Sequence, residues 1–243
     1  SPGGLTGSGT AGSITVTGLT NGTAYTFTVT ATNPIGTSVP SSASNSITPL
    51  VIPVVTNPTT GKIWMDRNLG ATQVATSSTD EAAYGDLYQW GRGSDGHQIR
   101  TSGTTSTLSI TDVPGHANFI LSSDDWRSPQ NSDLWKGETG TNNPCPSGFR
   151  IPTEAELTAE INTWSERSGV GAFGSPLKLP LAGVRINYDG LLSYVDSFGY
   201  YWSSDTPMSG NARTLYFRAW YTNGILWNNF NRARGQSVRC IKD

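Results

Sequence analysis

The segment AYTFTVTATN (24–33) alternates Tyr25, Phe27, Val29 and Ala31 with threonines, the period-two pattern of a half-buried antiparallel strand. Asn21-Gly22 is a tight-turn pair that joins it to SITVTGL (13–19), so the two predict a strand pair of a β-sandwich. PLVIPVVTNP (49–58) interrupts the alternation with three prolines and predicts an extended linker over 50–58. A helical period occurs in RIPTEAELTAEINTWSERSG (150–169). There Thr153 and Glu156 form a capping box, Leu157, Ile161 and Trp164 share a face, and Gly169 ends the run. KLPLAGVRI (178–186), GYYWSSD (199–205), ARTLYFRAW (212–220) and QSVRCIKD (236–243) are short strand candidates between Gly- and Asn-bearing turns. The pattern adds up to α+β with short antiparallel strands, one clear helix and long loops. RAWYTNGILWNNFNRARGQSVRC (218–240) fits neither period, although it is dense in aromatic, amide and guanidinium groups.

Composition sharpens this picture. In 243 residues, 28 Gly and 14 Pro against only 14% charged side chains favour turns and short strands over long helices. The net charge of -2 argues against a nucleic-acid binder driven by overall field. From Gly210 onward, however, six basic residues (Arg213, Arg218, Arg232, Arg234, Arg239, Lys242) face a single acid, Asp243, so the end of the chain is locally positive. No apolar run is long enough to span a bilayer, so no membrane insertion is expected. The opening SPGGLTGSG reads as the interior of a longer polypeptide. The two cysteines, Cys145 and Cys240, lack zinc-site spacing, and either pair or stand as buried thiols.

Two family resemblances follow from these words. GLTNGTAYTFTVTATNPIGTSVPSSASNSITP resembles the second half of a fibronectin type III domain, with its corner tyrosine at Tyr25 and its first strands missing, which implies a partial all-β module over 1–49. Seven ordered motifs, WMDRNLGAT, AAYGDLYQWGR, DDWRSP, NPCPSGFRIPTEAEL, LPLAGVR, GYYWSS and GQSVRCIKD, resemble the Fibrobacter succinogenes major paralogous domain. That resemblance implies a C-type-lectin-like domain over 59–243, similar also to formylglycine-generating enzyme, on a secreted or surface-exposed bacterial protein. It also implies a Cys145–Cys240 disulfide, which suits an extracellular fold.

Catalysis is not expected. Formylglycine-generating enzymes use an active-site cysteine pair, whereas Cys145 and Cys240 sit in structural motifs, so an oxidase of that type stands only as an alternative. His97 and His116 lack a nucleophile elbow near any serine and read as loop residues. The acid pairs Asp80-Glu81 and Asp124-Asp125 read as solvated or capping groups. Calcium-dependent sugar binding would need a proline triplet that is absent, and a carboxylate that Trp227-Asn228-Asn229 lacks. No cofactor is expected, and a structural calcium ion near Asp95 or Asp124 is the one ion left open.

The expected site is therefore a binding face. Large apolar residues in a turn-rich stretch carry a solubility cost, and rings, amides and guanidinium groups make good recognition surfaces. The face is expected to comprise Tyr216, Arg218, Trp220, Tyr221, Asn223, Ile225, Leu226, Trp227, Asn228, Asn229, Phe230, Asn231 and Arg232. The stretch is similar to the hypervariable end of variable proteins from diversity-generating retroelements. That likeness implies diversification at Tyr216, Trp220, Tyr221, Ile225, Leu226, Trp227, Asn228, Asn229 and Phe230. The expected partner is a protein or a glycan on another cell or host surface. The competing expectation is an adhesin or surface-layer stalk whose aromatic side chains complete the core.

Overall fold

A computed structural model describes residues 4–9, 14–49, 51–220 and 226–243, with only the backbone for Leu226. The chain divides into two units, Ser1–Ile52 and Pro53–Asp243.

In the first unit Tyr25 is the buried apolar residue, and its hydroxyl accepts the Thr20 backbone N–H at 2.9 Å. The expected pairing of 13–19 with 24–33 is not what forms, since the described part of 13–19 carries no strand. Residues 25–31 pair instead with 38–47. Ser38, Ser41 and Ser44 donate their N–H groups to the carbonyls of Ala31, Val29 and Phe27 at 2.8–2.9 Å. Their hydroxyls accept the N–H groups of the same three residues at 3.0–3.1 Å. The serines are three apart where their partners are two apart, so each step carries one extra residue. The Oγ stands in for the backbone carbonyl that the bulge removes.

The second unit consists mostly of small antiparallel sheets with two α-helices. One sheet runs in the order Val54–Thr56, Ile63–Met65, Ile241–Lys242, Phe149–Arg150, and so joins the two ends of the unit. A second runs Leu192–Ser193, Val184–Arg185, Gly235–Gln236, Tyr88–Gln89. The third and longest has Asn211–Arg218 between Phe198–Trp202 and Leu226–Asn231. The 50–58 linker is thus shorter than expected. Val54–Thr56 pairs in register with Ile63–Met65, and Asn57 is buried, donating to Glu160 Oε2 at 2.7 Å.

The first helix, Glu154–Ile161, has the capping box expected of it. Thr153 Oγ1 accepts the Glu156 N–H at 3.2 Å and Glu156 Oε2 accepts the Thr153 N–H at 2.9 Å. It ends earlier than its apolar period suggested, so Trp164 joins the same core from beyond its end. Gly169 does not terminate that helix but begins a second one, Gly169–Gly174, capped by Ser168. A side chain at Gly169 would meet the Ala219 backbone at about 3 Å, which explains the glycine. The main core gathers Trp64, Leu157, Ile161, Trp164, Leu179, Tyr201, Leu215, Phe217 and Ile241.

Cys145 and Cys240 are bonded to each other, 95 residues apart in sequence, and tie the approach to the Phe149–Arg150 strand to the last strand of the same sheet. Closing a loop of that length stabilises the fold by about 4 kcal/mol in the chain-entropy account. Reduction, or the paired change Cys145→Ala and Cys240→Ala, is expected to lower the urea-unfolding free energy of the second unit by about that amount. Identical unfolding curves with and without reductant would contradict it.

Candidate functional site

The three-stranded sheet sorts the expected site residues by strand alternation, because successive side chains leave opposite faces. Its register sets Tyr200 opposite Tyr216, Phe198 opposite Arg218, Leu215 opposite Trp227 and Ala212 opposite Phe230. On one side Tyr201, Leu215 and Phe217 enter the main core, and Trp227 packs partly buried against it. Arg213 lies over the Trp227 ring at 5.4 Å and pairs with Glu154 of the first helix at 2.8 Å. Trp227 is therefore held within the scaffold, on the helix-covered side.

On the other side Phe198, Tyr200, Tyr216 and Phe230 pack together over Val184 and Ile186. Tyr200 is buried, while Phe198, Tyr216 and Phe230 are half-buried. Phe198 stacks on Tyr200 (5.7 Å between centroids, 19° between planes) and Tyr200 stacks on Tyr216 (5.7 Å, 12°), with Phe230 edge-on to both tyrosines. Tyr194 extends the row, edge-on to Phe198 at 5.1 Å. Two guanidinium groups close the cluster, Arg218 over Phe198 at 5.3 Å and Arg234 over Phe230 at 4.7 Å. Burial pushes the Tyr200 hydroxyl up to about 12, Tyr194 and Tyr216 add to this, and Arg234 and Arg218 pull the other way.

Local backbone sets this geometry. Tyr194 and Asp196 both have left-handed backbone, φ 59° and 62°, which costs an L residue with a Cβ about 1 kcal/mol or more each. The resulting turn carries the Phe198 N–H back to the Tyr194 carbonyl at 3.0 Å, and the Tyr84 hydroxyl donates to Asp196.

The remaining expected residues fall in different places. Trp220 is 85% exposed, and Arg218 and Asn228 are also exposed. Asn229 is half-buried and donates to Met208 Sδ at 3.3 Å, while Asn231 donates to the Ser123 carbonyl. Tyr221, Asn223 and Ile225 lie outside the described residues, as does the side chain of Leu226, whose backbone pairs with Tyr216. Arg232 requires correction: it is 1% exposed and cannot meet a ligand. It lies over the Trp90 ring at 4.6 Å, approaches Asp125 Oδ2 at 3.4 Å and donates to Ser132 Oγ at 2.9 Å. Of the two expectations for Asp125, solvated or capping, it is buried and takes the second, its Oδ1 accepting the Arg127 N–H at 3.3 Å. Burial pushes its carboxyl up to about 6, with Arg232 opposing.

Tyr194, Phe198 and Tyr200, and the exposed hairpin residues Tyr188, Leu191 and Leu192, lie outside the face expected from the sequence. Tyr200 lies in the strand candidate 199–205 and Phe198 shares its parity just before that candidate begins, which is the signal the sequence carries.

His97, expected in a loop, does lie in one but is fully buried. Its Nδ1 meets Asp95 Oδ1 at 2.6 Å and its Nε2 accepts the Gln89 N–H at 3.0 Å. Burial lowers His97 to about 4, and Asp95 pulls weakly the other way. For Asp95 itself, burial is outweighed by His97 and Arg92, which hold it to about 2. Both Asp95 oxygens are committed, one to His97 and one to Arg92 at 2.6 Å, and Asp124 accepts from Gln130 Nε2 at 2.8 Å. Among the described residues no group of three or more His, Cys, Asp or Glu side chains is placed to hold a metal ion.

Comparisons with protein-family models, with curated proteins and with solved structures each return no match to this chain.

Two predictions follow from the buried charges. Truncating Arg232 to Ala leaves Asp125 without its cation and is expected to cost about 3–5 kcal/mol in denaturant unfolding; a loss below 1 kcal/mol would refute the structural role. His97 has a folded pKa near 4, below its ordinary value of 6.5, so the folded state resists protonation that the unfolded chain accepts. Its stabilisation is complete above pH 6.5 and falls by about 3 kcal/mol towards pH 4. Asp125, raised to about 6, contributes with the opposite sign over part of that window. The observable is therefore the difference from His97→Gln, which should shift by about 3 kcal/mol in the variant's favour between pH 7 and 4. Parallel stability curves would count against it.

Proposed function

We propose that the second unit is a C-type-lectin-like, non-catalytic recognition domain of a secreted or surface-exposed protein, carried beside a partial fibronectin-type module. The ordered motifs support this architecture, as does a sheet that brings the two ends of the unit together. The two cysteines are bonded to each other, which favours a structural over a catalytic use. The observation that carries the reading is the cluster Tyr194–Phe198–Tyr200–Tyr216–Phe230, left half-open on one side of the sheet and bracketed by arginines. Such residue types dominate interface energetics.

Ring packing favours a protein over a glycan as partner. Sugars stack on free ring faces, but here Phe198, Tyr200 and Tyr216 cover one another, and guanidinium groups lie over Phe198 and Phe230. What remains is ring edges and tyrosine hydroxyls, a mixture suited to a protein surface. The stalk reading retains two observations in its favour, the burial of Tyr200 and the packing of Trp227.

The test is a screen of protein and glycan arrays, with hits remeasured on Trp220→Ala and Tyr194→Ala. Protein hits weakened at least tenfold by either change, with the melting temperature unaltered, are the expected outcome. Hits that bind both variants as well as the parent, or an array without hits, would favour the stalk reading.

A further inference from the structure

The aromatic cluster has a one-sided electrostatic environment. Arg234 lies over Phe230 at 4.7 Å, its Nε is buried without a hydrogen-bond partner, and no carboxylate among the described residues forms an ion pair with it. The undescribed residues 221–225 (YTNGI) contain no acid. Arg218 enters the same cluster from the opposite end, over Phe198. The charged side chains that bear on the central Tyr200 hydroxyl are these two arginines, beside Tyr194 and Tyr216, and no Asp or Glu is among them.

The contrast with the other arginines gives this weight. Arg67, Arg92, Arg127, Arg150, Arg213 and Arg232 each meet a carboxylate within 2.6–3.4 Å, and Arg100, which also lies over a ring, has the acids Glu81, Asp86 and Asp196 acting on it. Arg185 and Arg239 are buried and saturated by carbonyl, hydroxyl and amide oxygens. Arg234 is instead positioned by a ring, which fixes a guanidinium without neutralising it. A fixed cation on a half-open aromatic surface favours an anion that arrives with apolar neighbours, because a guanidinium fork takes a carboxylate through two parallel hydrogen bonds.

Resting on the recognition reading above, we propose that the partner is an acidic protein segment: an Asp or Glu carboxylate set beside apolar side chains, with the carboxylate meeting Arg234 and the apolar groups meeting Tyr194, Tyr216 and Phe230. Charge complementarity of this kind mainly sets specificity and association rate, so binding should weaken steeply with salt.

The experiment is selection of a random twelve-residue phage-displayed peptide library on the whole chain. Individual clones are then measured as synthetic peptides on the parent, on Arg234→Gln and Arg218→Gln, and on Arg234→Lys, which keeps the charge but loses the fork. The expected result is enrichment of peptides that pair Asp or Glu with aromatic or aliphatic residues. They should bind at least tenfold more weakly to Arg234→Gln and at 0.5 M salt, with partial recovery in Arg234→Lys. Peptides that need Trp220 and Tyr194 but carry no acids, or ignore the arginine changes, would overturn the acidic partner while leaving the recognition face standing. Peptides insensitive to Trp220→Ala and Tyr194→Ala, or no enrichment, would overturn both. Tightest binding by sulfated or uronic-acid glycans in a parallel array would assign the anion to a sugar and refute the protein segment.

Discussion

Indole N–H groups pinning irregular backbone are the constraint on which the second unit depends. Trp90 donates to the Ser203 carbonyl at 2.9 Å, Trp126 to Trp90 at 2.7 Å, Trp202 to Tyr88 at 2.8 Å, and Trp135 to Arg92 and Asn142 at 3.2 and 3.1 Å. All four rings are buried. A unit with so little regular secondary structure must satisfy its buried backbone carbonyls one at a time. A tryptophan does this while bringing a large apolar area to the same spot. These bonds converge on residues 88–92, which are thereby fixed to the Phe198–Trp202 strand and the loop that follows it. Arg92 and Arg232 continue the pattern, each lying over a tryptophan ring and donating to loop oxygens.

Because that network anchors the loops, the three-stranded sheet can use its two sides differently. One side is committed to the main core beneath the first helix, where Gly199 leaves room for the Phe217 ring, which would lie 2.4 Å from a Cβ there, and Phe217 in turn stacks on Tyr201. The other side carries a second aromatic cluster that is only partly closed.

Local chemistry was legible in the sequence and register was not. Thr153 and Glu156 announced a helix start because both halves of a capping box lie within four residues, and the cysteines pointed to each other once their motifs were aligned. The strand at Val54–Thr56 was hidden by flanking prolines that read as a linker, since its pairing partner is chosen by tertiary packing. Ser38, Ser41 and Ser44 looked like spacer composition because a three-against-two pairing has no period-two signature. For Trp227 and Phe230 no parity is legible: the stretch lacks alternation, so only pairing with Leu215 and Ala212 decides which ring goes under the helix. The burial of Arg232 depends on Asp125, 107 residues earlier, and no local pattern reports such a partner.

The arginines show how one residue type takes two roles in a single fold. A guanidinium surrounded by carbonyls and a carboxylate becomes part of the scaffold, as Arg232 does, and its charge is no longer available at the surface. A guanidinium held over a ring, with no carboxylate among the described residues in ion-pair range, keeps its charge uncompensated, as Arg234 does, two residues later in the chain. Neighbouring positions thus separate into support and contact according to what the surrounding loops supply. Positive charge at the end of this chain therefore cannot be read as one surface: part of it is neutralised inside, Lys242 lies on another sheet, and Arg234 lies beside the aromatic cluster, where an incoming acid would find both a cation and an apolar footing.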